Sequence, residues 1–217
     1  MPRKPAPNPP RQARSRESLR RLLDAAEVVL EKQGLDGATL ARIAAVARLS
    51  PASVYRRFRD KDALMAAVFS RFIEQTAREL AQTVDPERIR RIGIREFSRH
   101  WIGALLKGYR TRTGLVRAAV QYSQQHADAA FVRRKERLEV EAFSRVASLF
   151  LLWREEIRHP NPEYAVRFAM VMVAFALREL ILFEQAYLFE KLLRLGDDRL
   201  REELPRAFLR YLGVDGE

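Results

Sequence analysis

The chain has 217 residues, 47% of them hydrophobic, no cysteine and a net charge of +12. That length and apolar content allow a real buried core, and the lack of cysteine excludes a disulfide framework and cysteine-based metal sites and suits a reducing cytoplasm. Pro and Arg stand at the N-terminus where a signal peptide needs an apolar stretch. The longest apolar run, Phe168 to Leu177, is ten residues, against roughly 18 for a bilayer-spanning helix.

Residues 1–14 hold five prolines and several basic residues, which predicts a disordered arm. Arg3, Lys4, Arg11, Arg14 and Arg16 are placed either to reach into a groove of a polyanionic partner or simply to solubilise the tail. From Ser15 the spacing is helical. Leu19, Leu22, Leu23, Ala26, Val29 and Leu30 form one stripe, and Gly34 supplies the stop.

The segment Thr39 to Leu64 carries the chemistry. Thr39 can cap a short helix whose inner face is Leu40, Ile43, Ala44 and Ala47. Arg48 and Leu49 form a tight turn, Ser50 caps a second helix, and Pro51 sits at its first position, where no donor is lost. Val54 and Phe58 point inward, leaving Ala52, Ser53, Tyr55 and Arg56 outward. Two short helices joined by a tight turn, the second with a small and polar outer face, describe a helix-turn-helix. Small residues admit base edges, and Tyr55 and Arg56 reach phosphates or bases. A third helix begins at Asp60-Lys61 and offers its N–H groups and the Lys61 ammonium to phosphate. The plainer alternatives are a core Tyr55, a solvated Lys61, and a solvated role for at least one of Arg56, Arg57 and Arg59.

The charge is concentrated where this reading needs it. Residues 1–61 hold fourteen Lys/Arg against six Asp/Glu, a net of +8. Such a segment attracts polyanions by releasing their condensed counterions.

Further helices are expected at about 61–82, from Pro86 to near Tyr109, from Gly114 to Gln125, and as one long element from Asp128 to Ile157. His159-Pro160-Asn161-Pro162 breaks the pattern, with Asn161 as cap of an almost wholly apolar helix at 163–189. A last helix spans about 198–212, interrupted at Pro205 and ended by Gly213. No alternating strand is present, so the fold class is all-α.

The run TLARIAAVARLSPASVYRRFRDKDAL resembles the TetR family of bacterial repressors, through Thr39, Ile43, Ala44, Ala47, Leu49, Ser50, Tyr55, Phe58, Lys61 and Leu64. It departs at the turn, where the family's glycine is Arg48. The resemblance implies an N-terminal three-helix DNA-binding domain at 15–61 and a helical effector-binding and dimerisation domain at 62–217. The residues and the resemblance together place DNA contact at Thr39, Ser50, Ala52, Ser53, Tyr55, Arg56 and Lys61, while Arg48 either strains the turn or adds a phosphate contact of its own. The resemblance also implies a homodimer through the last two long helices, a palindromic double-stranded operator, and release by a small, largely apolar effector. Trp101, Tyr122, Phe143, Met172 and Phe175 are the residues expected to line the effector cavity. The rival readings are a nonspecific basic DNA-binding protein and a ligand-independent regulator or activator. His100, His126 and His159 are too scattered for a metal site, no catalytic or cofactor motif is found, and neither enzyme activity nor a cofactor is expected.

Overall fold

Apolar spacing, caps and prolines decide where each helix starts and stops. The computed structural model describes residues 11–81, 86–125, 128–182, 191 and 196–214. Residues 1–10 of the expected arm, Asp85, His126 and residues 183–189 of the long apolar helix lie outside the described residues.

Helix α1, Arg11–Gly37, begins before the boundary expected at residue 15. Residues 11–14 contain no proline and include Gln, Ala and Arg, all good helix formers. Leu22, Ala26, Val29 and Leu30 are buried, as their spacing requires. At Gly34 (φ 67°, ψ −173°) the backbone leaves helical geometry, which a residue without Cβ does at little cost. Helix α2 is Leu40–Ala47 and α3 is Pro51–Tyr55. Helix α4, Lys61–Ala81, starts where the Ala63 N–H donates to Asp60 Oδ1 at 2.8 Å.

Helix α5, Pro86–Thr111, is broken at Gly93 (φ 79°), a feature the apolar spacing did not foretell. Helix α6 is Thr113–Gln125. Helix α7 is Ala129–Phe150, capped by Asp128 through the Phe131 N–H at 2.7 Å. The expected continuous helix to Ile157 instead gives way to a 3-10 segment, Leu151–Glu156. There Trp153 departs from helical angles (φ −109°, ψ 33°) and its buried ring lies 5.7 Å from that of Phe97. Burial of a large aromatic surface outweighs one more turn of regular helix.

Helix α8, Pro162–Leu182, is capped as expected, the Tyr164 N–H donating to Asn161 Oδ1 at 3.1 Å. Helix α9, Asp197–Leu212, runs through Pro205 rather than breaking there, with Pro205 itself buried, and ends at Gly213. No strand occurs among the described residues, and the chain is all-α.

Two hydrophobic cores form among the described residues. One joins α5, α7, α8 and α9 around Phe97, Trp101, Phe150 and Phe208. In it the Phe150 ring sits 4.7 Å from Phe97 and 4.8 Å from Phe208. The other holds α1 to α4 together and takes in Leu115, Ala118, Ala119 and Tyr122 of α6 and Phe131 of α7. Packing therefore crosses the boundary expected between residues 61 and 62: α4 and α6 are built into the N-terminal head. Each fully buried Phe or Leu in these cores contributes roughly 1.5–3 kcal/mol.

Candidate nucleic-acid interface

The two short helices of the head are held by their own side chains. Thr39 Oγ1 accepts from the Arg42 N–H at 3.2 Å, and Ser50 Oγ accepts from the Ser53 N–H at 3.3 Å. Each cap satisfies a donor that a helix start leaves open. Between the helices Arg48 adopts the left-handed conformation (φ 54°, ψ 47°), and its N–H closes the turn on the Ala45 carbonyl at 3.1 Å. It is the one non-glycine residue at positive φ among the described residues.

Helix α3 has two faces. Val54 is completely buried and Phe58 half-buried beside the head core. Ala52, Tyr55 and Arg56 face outward, with Tyr55 58% exposed. A tyrosine that open is not a core aromatic. Ser53 is half-buried, its hydroxyl 2.8 Å from Ser50 Oγ, and it accepts from Arg56 Nη2 at 3.2 Å. The neighbouring arginines sort by partner. Arg57 donates to Ser15 Oγ on α1 at 2.8 Å, and Arg59 pairs with Asp60 at 2.7 Å. Arg56 thus stays on the outer face with Tyr55.

Asp60 is held below its usual range, first by the Ala63 N–H and then by Arg59. It remains ionised at the start of α4, where a negative charge suits the helix dipole. Lys61, next to it, is half-buried and donates Nζ to the Leu35 carbonyl at 2.7 Å. Its ammonium ties the start of α4 to the end of α1, a contact 26 residues long that no local pattern announces.

Residues 22–68, which contain α2, α3 and this turn, match the family model described as bacterial regulatory proteins, tetR family. The head is a TetR-family DNA-binding domain. A nicotine-responsive transcriptional repressor of the helix-turn-helix type, HdnoR of Paenarthrobacter nicotinovorans, is 36% identical over 81 residues. That match spans 37% of this chain and 42% of the repressor, so the chain aligns with less than half of that relative. Among solved structures, a Mesorhizobium loti protein assigned to the TetR-family regulators superposes over 94% of this chain and 99% of its own, with a TM-score of 0.60 and 20% identity. The TetR-family regulator PfmR of Thermus thermophilus covers 91% of this chain and 100% of its own, with a TM-score of 0.57 and 13% identity. The TetR-type architecture, head plus helical body, therefore extends over nearly the whole chain.

The five residues expected to line an effector cavity divide among three places, the body core, the head core and the outer face of α8. Trp101 is buried in the body core, its ring 5.7 Å from Phe150 and 5.9 Å from Phe208, and Phe143 packs on that core's edge. Tyr122 belongs to the head core instead, with Phe69 at 5.0 Å and Phe131 at 5.3 Å. Met172 and Phe175 are 58% and 50% exposed on the outer face of α8. Met172 and Phe175 lie outside because α8 is apolar on two faces, and composition does not tell which one turns inward. Ala165, Val166, Ala169, Met170, Val173, Leu177, Ile181 and Leu182 are the buried ones. The outer stripe is Tyr164, Phe168, Val171, Met172 and Phe175, continued by Tyr211 of α9, whose ring lies 5.3 Å from Phe168. Arg178 lies over the Phe175 ring at 4.4 Å.

Proposed function

We propose that the chain is a homodimeric transcriptional repressor that reads a palindromic double-stranded operator. The outer face of α3 carries this reading: Ala52, Tyr55 and Arg56 stand exposed on a helix fixed from behind by Val54. Ala52 admits a base edge, while Tyr55 and Arg56 bond bases or phosphates. Thr39, Arg48, Ser50, Ser53 and Lys61 surround that face and set its register on the backbone. The net charge of +8 over residues 1–61 supports attraction to DNA.

Dimerisation through α8 and α9 is supported by the aromatic stripe along α8. Five large apolar residues on one face of a helix form a patch that a soluble monomer rarely leaves open, and a two-fold interface would align two heads with a two-fold operator. Release by a small, largely apolar molecule completes the proposal. Such a molecule must bind the DNA-incompetent arrangement more tightly than the competent one, and the aromatic body core around Trp101, Phe143 and Phe150 is where an apolar ligand would insert. The nicotine response named for HdnoR belongs to that protein, and its match to this chain covers too little of either to carry an effector over.

The test is selection of duplexes from a random pool by the purified chain, followed by footprinting. The proposal predicts an inverted repeat protected on both halves. Uniform recovery of random sequence would establish the nonspecific alternative instead.

A further inference from the structure

Glu31 makes a contact that neither the DNA-binding face nor the aromatic stripe requires. From α1 it reaches the start of α6, 83 residues away: its two carboxylate oxygens accept from the Gly114 N–H at 3.1 Å and the Leu115 N–H at 2.8 Å. A carboxylate across the open N–H groups of a helix start makes charge-assisted bonds and meets the positive end of the dipole. Position 114 must be glycine for this, because a Cβ there would overlap the Glu31 carbonyl oxygen and stand 2.8 Å from its carbon.

The same face of α1 grips α4. Asp24, Glu27 and Glu31 are spaced three and four apart, so they share one side of the helix. Arg71 of α4 donates Nη2 to Glu27 at 2.6 Å and Nη1 to Asp24 at 2.7 Å, with Arg71 and Glu27 both largely buried. Arg112, at the corner leading into α6, lies over the Phe72 ring of α4 at 5.8 Å. One acidic stripe on α1 thus holds α4 and α6, and α6 in turn reaches the body, packing Val116 and Val120 against its core and donating Arg117 Nε to the Leu182 carbonyl at 2.6 Å.

We propose that Glu31, seated on Gly114, is the positioning residue that fixes the angle between head and body and thereby the separation of the two DNA-reading helices. The inference rests on the dimeric operator-binding reading for its consequence, but the clamp is measurable without DNA. Since the chain has no cysteine, nitroxide labels at Val46→Cys on α2 and Val140→Cys on α7, both exposed, report the head-to-body distance. Labelled chain diluted in excess unlabelled chain gives the distance within one protomer.

Glu31→Ala and Gly114→Ala are expected to shift and broaden that distance distribution, and Glu31→Gln, which keeps one acceptor oxygen, to fall between them and the parent chain. On a duplex selected by the parent chain, Glu31→Ala is expected to bind roughly tenfold more weakly. It should also lose the preference for one half-site spacing, tolerating insertion of a base pair that the parent chain rejects. A merely structural role would lower affinity equally at every spacing. Should Gly114→Ala fail to fold, the two Glu31 variants decide the matter. Distributions superimposable on the parent's in both Glu31 variants would overturn the proposal. If the parent chain selects no DNA, the operator reading fails, and the distances alone still judge the clamp.

Discussion

Lys61 Nζ lies 2.7 Å from the Leu35 carbonyl oxygen, so the side chain expected to meet phosphate already anchors α4 to the end of α1. An ammonium has three donors, and one spent on Leu35 leaves two for a phosphate at the same helix start. Lys61→Ala is therefore expected to do two things at once. It should lower unfolding free energy by about 1 kcal/mol and weaken binding to every duplex alike, with the salt slope reduced by about one. Denaturant melts and a salt series of DNA titrations check this. A loss confined to specific duplexes, with an unchanged slope, would refute the phosphate role.

Arg48 sits where a left-handed backbone costs a side-chain-bearing residue about 1 kcal/mol. Arg48→Gly is expected to raise the urea midpoint by a comparable stabilisation, partly offset by the freer unfolded chain. If the arginine also touches phosphate, the same variant binds DNA less tightly while melting higher. A lower melting point would show that Arg48 is held by contacts that outweigh its strain.

The aromatic stripe gives an oligomer test. Met172 and Phe175 are half or more exposed, so Met172→Glu with Phe175→Glu should leave the body core intact and change stability of the isolated protomer by less than about 0.5 kcal/mol. Sedimentation is expected to show the parent chain as a dimer at micromolar concentration and the double variant as a monomer. A dimer that survives both charges would remove α8 from the interface.

Buried tyrosines predict an alkaline signature. Burial raises Tyr122, with Asp62, Asp128 and Asp60 adding to it, and burial also raises Tyr109 against a nearby Arg178. Both are neutral in folded and unfolded chains below pH about 10, the ordinary tyrosine value, so neither changes stability there. Above it the unfolded chain ionises first, and stability falls as pH climbs toward the folded values. Tyrosinate absorbance should show late-titrating groups in the native protein, and Tyr122→Phe should remove one of them. Titration of all six tyrosines as one ordinary class would contradict the packing described.

Local chemistry made the head legible from sequence. Thr39, Ser50 and Asn161 are caps whose acceptor, spacing and following residues all lie within four positions, and Val54 against Tyr55 follows from helical period alone. What stayed hidden depends on contacts far apart in sequence. Glu31 with Gly114, Lys61 with Leu35 and Arg57 with Ser15 join residues 26 to 83 positions apart, for which no short pattern exists. The orientation of α8 was hidden for a different reason. Both its faces are apolar, so Met172 and Phe175 carry the same sequence signal as Met170 and Val173, and only packing separates them.

Whether the exposed face of α3 reads bases is addressed directly by one titration. The parent chain and Tyr55→Ala are each titrated against the selected duplex and a scrambled duplex of equal length at one salt concentration. Because Tyr55 is exposed, its removal should leave the melting temperature nearly unchanged. The parent chain is expected to favour the selected duplex by at least about a thousandfold, and Tyr55→Ala to lose most of that preference while still binding both duplexes weakly through charge. A parent ratio near one, or a ratio untouched by Tyr55→Ala, would contradict the assignment of α3 as the reading helix.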